Sequence, residues 1–201
     1  MKYIKSLNNF LNESVELPHF PNSITLWHGG NLDDVKYNLS HKTGRFHYGA
    51  GLYLTNDLNL VLNKYAKGNR KLYLVTVEKG LDIDDAYIDF EKVKTFINNY
   101  VKVSFRKVFI SQLEILVKDG KIPAYRFNNM IINNKAISAS KTNLLRKFLI
   151  DNGIDYEYTD TAYMGRLLVV YNMNKVKDII RINHKDIQEW KKLLEENNFE
   201  F

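Results

Sequence analysis

The chain has 201 residues, 45% of them apolar and 26% charged, which fits one globular domain able to bury roughly 70% of its unfolded surface and argues against disorder. It has no cysteine, so disulfides, thiolate metal sites and cysteine nucleophiles are excluded, in keeping with a reducing cytoplasm, and no apolar run approaches the ~18 residues of a membrane span. The net charge of +6 is unevenly distributed, because twelve basic residues face two acidic ones between Lys92 and Lys147, a net of +10 that leaves −4 for the rest.

At the N-terminus, Ile4, Leu7, Phe10 and Leu11 recur at helical spacing among Lys2, Lys5, Asn8, Asn9 and Asn12, so residues 1–17 read as a short amphipathic helix closed off by Pro18 and Pro21. Those asparagines also interrupt the continuous apolar stretch that a secretory signal needs. One reading of this helix docks its apolar stripe on the core. The other rests on Leu11-Asn12-Glu13 before Ser14, which resembles the capsid-targeting leaders of tailed-phage internal head proteins, cut by a prohead protease after such a glutamate. The resemblance implies a protein packaged in a virion and acting in the host cytoplasm.

Residues 18–201 read as one domain. Ile24 to Trp27 is expected as a short strand delivering His28 to its end, where Gly29-Gly30 lets the backbone turn or approach a ligand. A polar loop follows from Asp33 to Arg45. Gly49 and Gly51 lead into a second strand, Leu52-Tyr53-Leu54, and Thr55, Asn56 or Asp57 is placed to cap a helix whose apolar side holds Leu58, Val61, Leu62 and Tyr65. After Lys67-Gly68 as a stop, the stretch from Lys71 to Val77 is the clearest strand, alternating Leu72, Leu74 and the rest with β-branched residues.

A mainly helical basic insertion is expected over about residues 86–152, carried by Val93, Phe96, Ile97 and Tyr100, then Val108, Leu113, Leu116 and Val117, then Leu144, Leu145, Phe148 and Leu149. Gly153 reads as a left-handed cap ending the last helix. Strand character returns at Leu167 to Tyr171, and a final helix is expected from about His184 to Glu196.

Three signals in the first third stand in a telling order: Trp27-His28-Gly29-Gly30, then Gly49-Ala50-Gly51-Leu52-Tyr53-Leu54-Thr55, then Lys64-Tyr65-Ala66. Together they resemble the NAD-binding half of the ADP-ribosyltransferase superfamily, in its diphtheria-toxin-like and poly(ADP-ribose) polymerase-like branch. The branch with an arginine on the first strand and a Ser-Thr-Ser motif is not matched. The resemblance implies an α+β fold with a split, mostly antiparallel β core. It implies that His28 hydrogen-bonds a ribose hydroxyl, that the Gly29 main chain pairs with the nicotinamide carboxamide, and that Tyr53 and Tyr65 stack on the two faces of the nicotinamide ring. A glycine at position 29 suits that task, since a Cβ would stand between the backbone and a flat ligand.

The resemblance extends to Gly153-Ile154-Asp155-Tyr156 and to Leu168-Val169-Val170-Tyr171-Asn172, which look like the last strands of such folds. There the chain departs from the pattern. The family's catalytic glutamate, which favours the oxocarbenium-like cation formed as nicotinamide leaves, normally stands just before the final strand; this chain has Gly165, Arg166 and Leu167. Glu157 or Asp160 could supply the carboxylate, a single ADP-ribose could be transferred without one, or the site could bind NAD without turnover.

The expectation is therefore a mono-ADP-ribosyltransferase using His28, Tyr53 and Glu157, with NAD as substrate, no metal, and an anionic macromolecular acceptor, nucleic acid or acidic protein. The alternative is a non-catalytic, basic nucleic-acid-binding or capsid-interior protein. Competing sites find little support. The glycines lack the Gly-Lys-Ser/Thr of a phosphate loop, the histidines (His19, His28, His41, His47, His184) have no metal-site spacing, and no Gly-x-Ser-x-Gly elbow exists.

Overall fold

The computed structural model describes residues 22–32, 50–66, 71–161 and 165–196. The N-terminal segment with Leu11-Asn12-Glu13, the polar loop from Asp33 to Arg45 and the Lys67-Gly68 stop lie outside the described residues, as does the side chain of Asp160.

The chain is a mixed α+β structure built on a six-stranded antiparallel sheet. Its strands are β1 (Ser23–Gly30), β2 (Leu52–Thr55), β3 (Lys71–Glu78), β6 (Tyr156–Thr161), β7 (Gly165–Val170) and β8 (Val176–Ile182), in the spatial order β6-β7-β2-β1-β3-β8. A small second ribbon pairs β4 (Tyr87–Asp89) with β5 (Lys121–Pro123). Between β2 and β3 runs a short helix, α1 (Leu58–Leu60), which widens into a π-helical turn over Val61–Tyr65. The remaining helices are α2 (Phe90–Tyr100), α3 (Val103–Glu114), α4 (Ala124–Asn133), α5 (Thr142–Asp151) and α6 (Ile187–Glu196). No described helix is long and apolar enough to cross a membrane.

Strand alternation sorts the sheet into two faces. On one face Ile24, Leu26, Leu54, Tyr73, Val75, Tyr156, Leu168 and Val170 form a single core. The other face carries two cores side by side. Over β1, β3 and β8, Trp27, Leu72, Leu74, Ile180 and Ile182 are covered by α1, its π turn and α6, through Leu58, Val61, Ile187 and the fully buried Trp190. Over β7, Leu167 and Val169 are covered by the helical insertion, with half-buried Tyr53 packed against it.

The insertion is held from within. Phe96 of α2, Phe127 of α4 and Phe148 of α5 meet at centroid separations of 5.5, 4.8 and 5.5 Å, an aromatic trio that joins three helices. Asp89 caps α2 by accepting from the Lys92 amide at 3.1 Å. Gly153, at φ +84°, ends α5 as expected.

Four expectations are revised. The insertion is mainly helical as expected, with the short β4–β5 ribbon in addition, but β8 has no counterpart in the expected elements. His28 lies inside β1 rather than beyond its end. Helix α3 buries Phe109 and Leu113, so Val108 faces solvent at 52% exposure, and the helix stops at Glu114, before Leu116 and Val117. The stretch from Lys71 to Val77 does not alternate, because β3 is a central strand whose residues from Leu72 to Val77 are buried on both faces.

Candidate functional site

The sheet is not evenly knit. Strands β1 and β3 pair over eight residues, β2 and β7 over four, but β1 meets β2 in register only where Trp27 stands opposite Thr55. Continuing that register would bring Gly29 opposite Tyr53, yet the strands no longer pair there. They splay apart at the two motifs that the sequence singled out.

His28 bridges the splay. Its Nδ1 lies 2.8 Å from the main-chain oxygen of Tyr53. A carbonyl can only accept, so Nδ1 carries the proton, and in the neutral imidazole Nε2 then holds the lone pair. The ring sits on the sheet face that holds Tyr73, with centroids 6.3 Å apart, and Nε2 is 2.9 Å from where a Cβ on Gly30 would stand. Gly30 has φ +155°, so a larger residue would strain the backbone and crowd the imidazole together.

Gly29 is required by a helix. A Cβ built there would come within 2.7 Å of Tyr65 Cβ, 2.8 Å of Val61 Cγ1 and 3.0 Å of the Ala66 amide nitrogen. The π-helical turn, closed by the Ala66 amide donating to the Val61 carbonyl at 2.8 Å, thus rests directly on the β1 backbone. Close packing is a further reason for glycine here, beside the room for a flat ligand that the resemblance implies. Tyr65 is held beside Gly29 while remaining 42% exposed.

Tyr53 and Glu157 share a sheet face. Tyr53 pairs with Val169, and Val169 with Glu157, so the two side chains flank Val169 about 10 Å apart, or two strand spacings. His28 is on the opposite face and a further strand away. The structure therefore joins His28 to the Tyr53 main chain and Gly29 to Tyr65, and it does not bring Glu157 to His28.

Glu157 is 7% exposed and sits in a polar cluster that sequence reasoning missed. Tyr171 donates its hydroxyl to Glu157 Oε2 at 2.6 Å, and Asn128 Nδ2 donates to the same oxygen at 3.2 Å. Burial pushes the Glu157 carboxyl up to about 7, against the pull of the Tyr171 hydrogen bond, with Asp84 and Asp82 adding repulsion. Asp82 is itself raised to about 6, mainly by burial, although its oxygens accept from the amides of Asp84 and Tyr158. Asn128 is 1% exposed, and its Oδ1 has no hydrogen-bond partner. Nothing in the sequence marks Asn128, which falls in the middle of α4; the run Asp82-Ile83-Asp84-Asp85 was the one visible hint of an acidic neighbourhood.

Where the resembled family places its glutamate, Leu167 is buried opposite Thr55 and Thr159. The adjoining Arg166 is tied through its main chain, donating to Asn56 Oδ1 at 3.1 Å and accepting from the Asn56 amide at 3.3 Å. A cavity of about 310 Å³ opens at the other end of β1, lined by Thr25, Trp27, Asn56, Leu58, Arg166 and Lys191, with none of His28, Tyr53 or Glu157 in its wall. Among the described residues no group of three His, Asp or Glu side chains is arranged to hold a metal ion.

No protein-family model, curated protein or solved structure matches this chain.

Proposed function

We propose that the chain binds NAD at the β1–β2 splay and transfers its ADP-ribose to a macromolecular acceptor. The observation that carries this reading is the His28 bridge across the splay. It spans the place where β1 and β2 stop pairing beside Gly29, so that main chain there could pair with a planar amide. The same gap supports reading the fold as the split core of an ADP-ribosyltransferase. Tyr53 at one lip and Tyr65 above Gly29 supply aromatic surface for a nicotinamide ring.

In the reaction the bond between nicotinamide and its ribose breaks, the electron pair leaves with nicotinamide, and a nucleophilic atom of the acceptor bonds to the ribose carbon and gives up its proton. His28 positions the ribose through Nε2. Glu157, the buried carboxylate on Tyr53's face, favours the developing cation through the field of its charge rather than by contact. The capsid-leader resemblance of residues 1–13 supports a phage effector delivered with the virion into the host cytoplasm, and mass spectrometry of virions should then find a mature chain beginning at Ser14.

The deciding experiment measures nicotinamide release from NAD by the full chain. Release that is lost in His28→Ala with an unchanged circular dichroism spectrum supports the reading, and full release in that variant overturns it. The second reading, a non-catalytic basic protein that binds nucleic acid, is favoured by the many exposed lysines of the insertion. It predicts no release and duplex binding that weakens steeply with salt.

A further inference from the structure

Helix α3 carries an outward face that the fold does not use. Phe109 and Leu113 turn inward, while Val103, Val108 and Ile115 are 76%, 52% and 83% exposed. Val108 and Ile115, the latter capping the helix, stand seven residues apart on one side, and Val103 projects about 140° around the helix from Val108, at the other margin of the exposed surface with Lys107 between them. Ser104, Ser111 and Gln112 fill the spaces between them, and all are exposed.

Cations mark both ends of this face. At the N-terminal end Lys102 donates to the Lys135 main-chain oxygen at 2.8 Å, which brings two lysines together, and Arg106 donates to the Val101 oxygen. At the C-terminal end Lys118 and Lys121 exchange main-chain hydrogen bonds across a tight turn. Lys107 sits between the two groups. All of these charges are bonded to main-chain atoms or project into solvent, and none of Lys107, Lys118, Lys121 and Lys135 forms an ion pair with a described carboxylate. Glu114 and Asp119 are the two acidic residues of the stretch from Lys102 to Lys135.

Lysines alone would suit phosphates, but three exposed aliphatic side chains gain nothing from a phosphate backbone. A lipid surface would need a broad apolar face with bulky residues, and the larger side chains of α3 are committed to the core. Exposed aliphatic side chains set among lysines suit a protein partner that offers both apolar and acidic groups. We propose that the outer face of α3 docks an acidic protein, whose carboxylates meet the lysines at the two ends and whose apolar residues cover Val103, Val108 and Ile115. Docking stands independently of the NAD reading; only the docked protein's role as acceptor of ADP-ribose rests on it.

The test uses the full chain and four probes: a random glutamate–tyrosine copolymer, poly-glutamate, duplex DNA, and vesicles of phosphatidylcholine with phosphatidylglycerol. The copolymer is expected to bind about tenfold more tightly than poly-glutamate, and Val103→Ser, Val108→Ser and Ile115→Ser combined should erase that preference. Lys107→Glu with Lys118→Glu should weaken both acidic polymers. These positions are exposed, so folding should persist, as circular dichroism will report. Tighter binding to DNA or to vesicles than to the copolymer, or an undiminished preference in the triple serine variant, overturns the proposal. Nicotinamide release separates the two readings: a chain that prefers the copolymer and releases none keeps its docking face and loses the transferase assignment.

Discussion

The imidazole of His28 and the main-chain oxygen of Tyr53 are joined at 2.8 Å across the point where two neighbouring strands stop pairing. The bond holds the splay at a defined width, and it fixes the tautomer that turns the basic nitrogen Nε2 away from Tyr53. Replacing His28 by alanine should cost about 0.5–1.5 kcal/mol of stability, the worth of one ordinary hydrogen bond, while removing nicotinamide release altogether. Urea unfolding and a release assay on one protein sample check both halves. A large stability loss would identify His28 as a structural strut instead.

Gly29→Ala separates packing from ligand access. The added methyl would meet Tyr65 Cβ, Val61 Cγ1 and the Ala66 amide nitrogen at 2.7 to 3.0 Å, and the last of these is backbone that cannot swing aside. Overpacking of this kind typically costs 1–3 kcal/mol. The melting temperature of the NAD-free protein should therefore fall. Unchanged stability would mean that a glycine serves only to admit a flat ligand.

Much of this arrangement was legible in the sequence, and the omissions have physical causes. Trp27 to Gly30, Leu52 to Thr55 and the strand before Asn172 were readable because strand residues there meet glycine or a capping side chain. Strand β8 was not, since Lys177, Asp178 and Arg181 break its apolar run; as an edge strand it carries charges that blunt further pairing. The ribbon of β4 and β5 has three residues a side, too few to show a period. Helix α3 has apolar residues on more than one side, with Val103, Phe105, Val108, Phe109 and Ile110, so spacing admits two inward faces, and contact with the other helices selects Phe109. The polar cluster around Glu157 was invisible for a different reason: Asn128, Tyr171 and Glu157 come from three separated segments that only the tertiary fold unites.

Asp155 is the fastener between that cluster and the loop after β3. Its Oδ2 accepts from the Leu81 amide at 3.0 Å and its Oδ1 from Asn172 Nδ2 at 2.7 Å, while its main-chain oxygen takes the Tyr171 and Asn172 amides. Asp155→Ala would leave the Leu81 amide and the Asn172 side chain without this acceptor. A loss of about 1–3 kcal/mol is expected in chemical denaturation, with faster hydrogen exchange at Leu81. Protection at Leu81 equal to the wild type would show that water or another group takes over.

The carboxyl of Glu157 makes stability depend on pH. Its folded value of about 7 lies above the ordinary 4.5, so the folded state holds the proton more tightly than the unfolded chain. The stabilisation is complete below about 4.5 and is lost as the pH rises to about 7, an effect on the order of 3 kcal/mol. Asp82, raised to about 6, acts in the same direction over a narrower window. Glu157→Gln keeps the shape and supplies a donor to a cluster in which Asn128 Oδ1 has none. The variant should be more stable than wild type at pH 8 and show a flatter profile between pH 4.5 and 7. Tyr171→Phe removes the hydrogen bond that holds the Glu157 value down, so its window should extend to higher pH.

The same substitution tests how Glu157 takes part in the chemistry. A charge three strand spacings from His28, roughly 15 Å, seen through an effective dielectric of about 20, is worth roughly 1 kcal/mol, which corresponds to a rate change on the order of fivefold. A carboxylate touching the sugar would matter by about a hundredfold to a thousandfold. Glu157→Gln is therefore expected to lower kcat for nicotinamide release about fivefold with little change in KM, because the carboxylate lies away from Gly29 and Tyr65, the residues proposed to hold NAD. In the wild type, release should rise with pH through about 7 as Glu157 ionises, and the rise should vanish in the variant. A thousandfold loss would mean that the helical insertion opens to bring Glu157 onto the substrate. An unchanged rate would assign the cluster to the core alone and leave His28 and Tyr53 to act without a carboxylate.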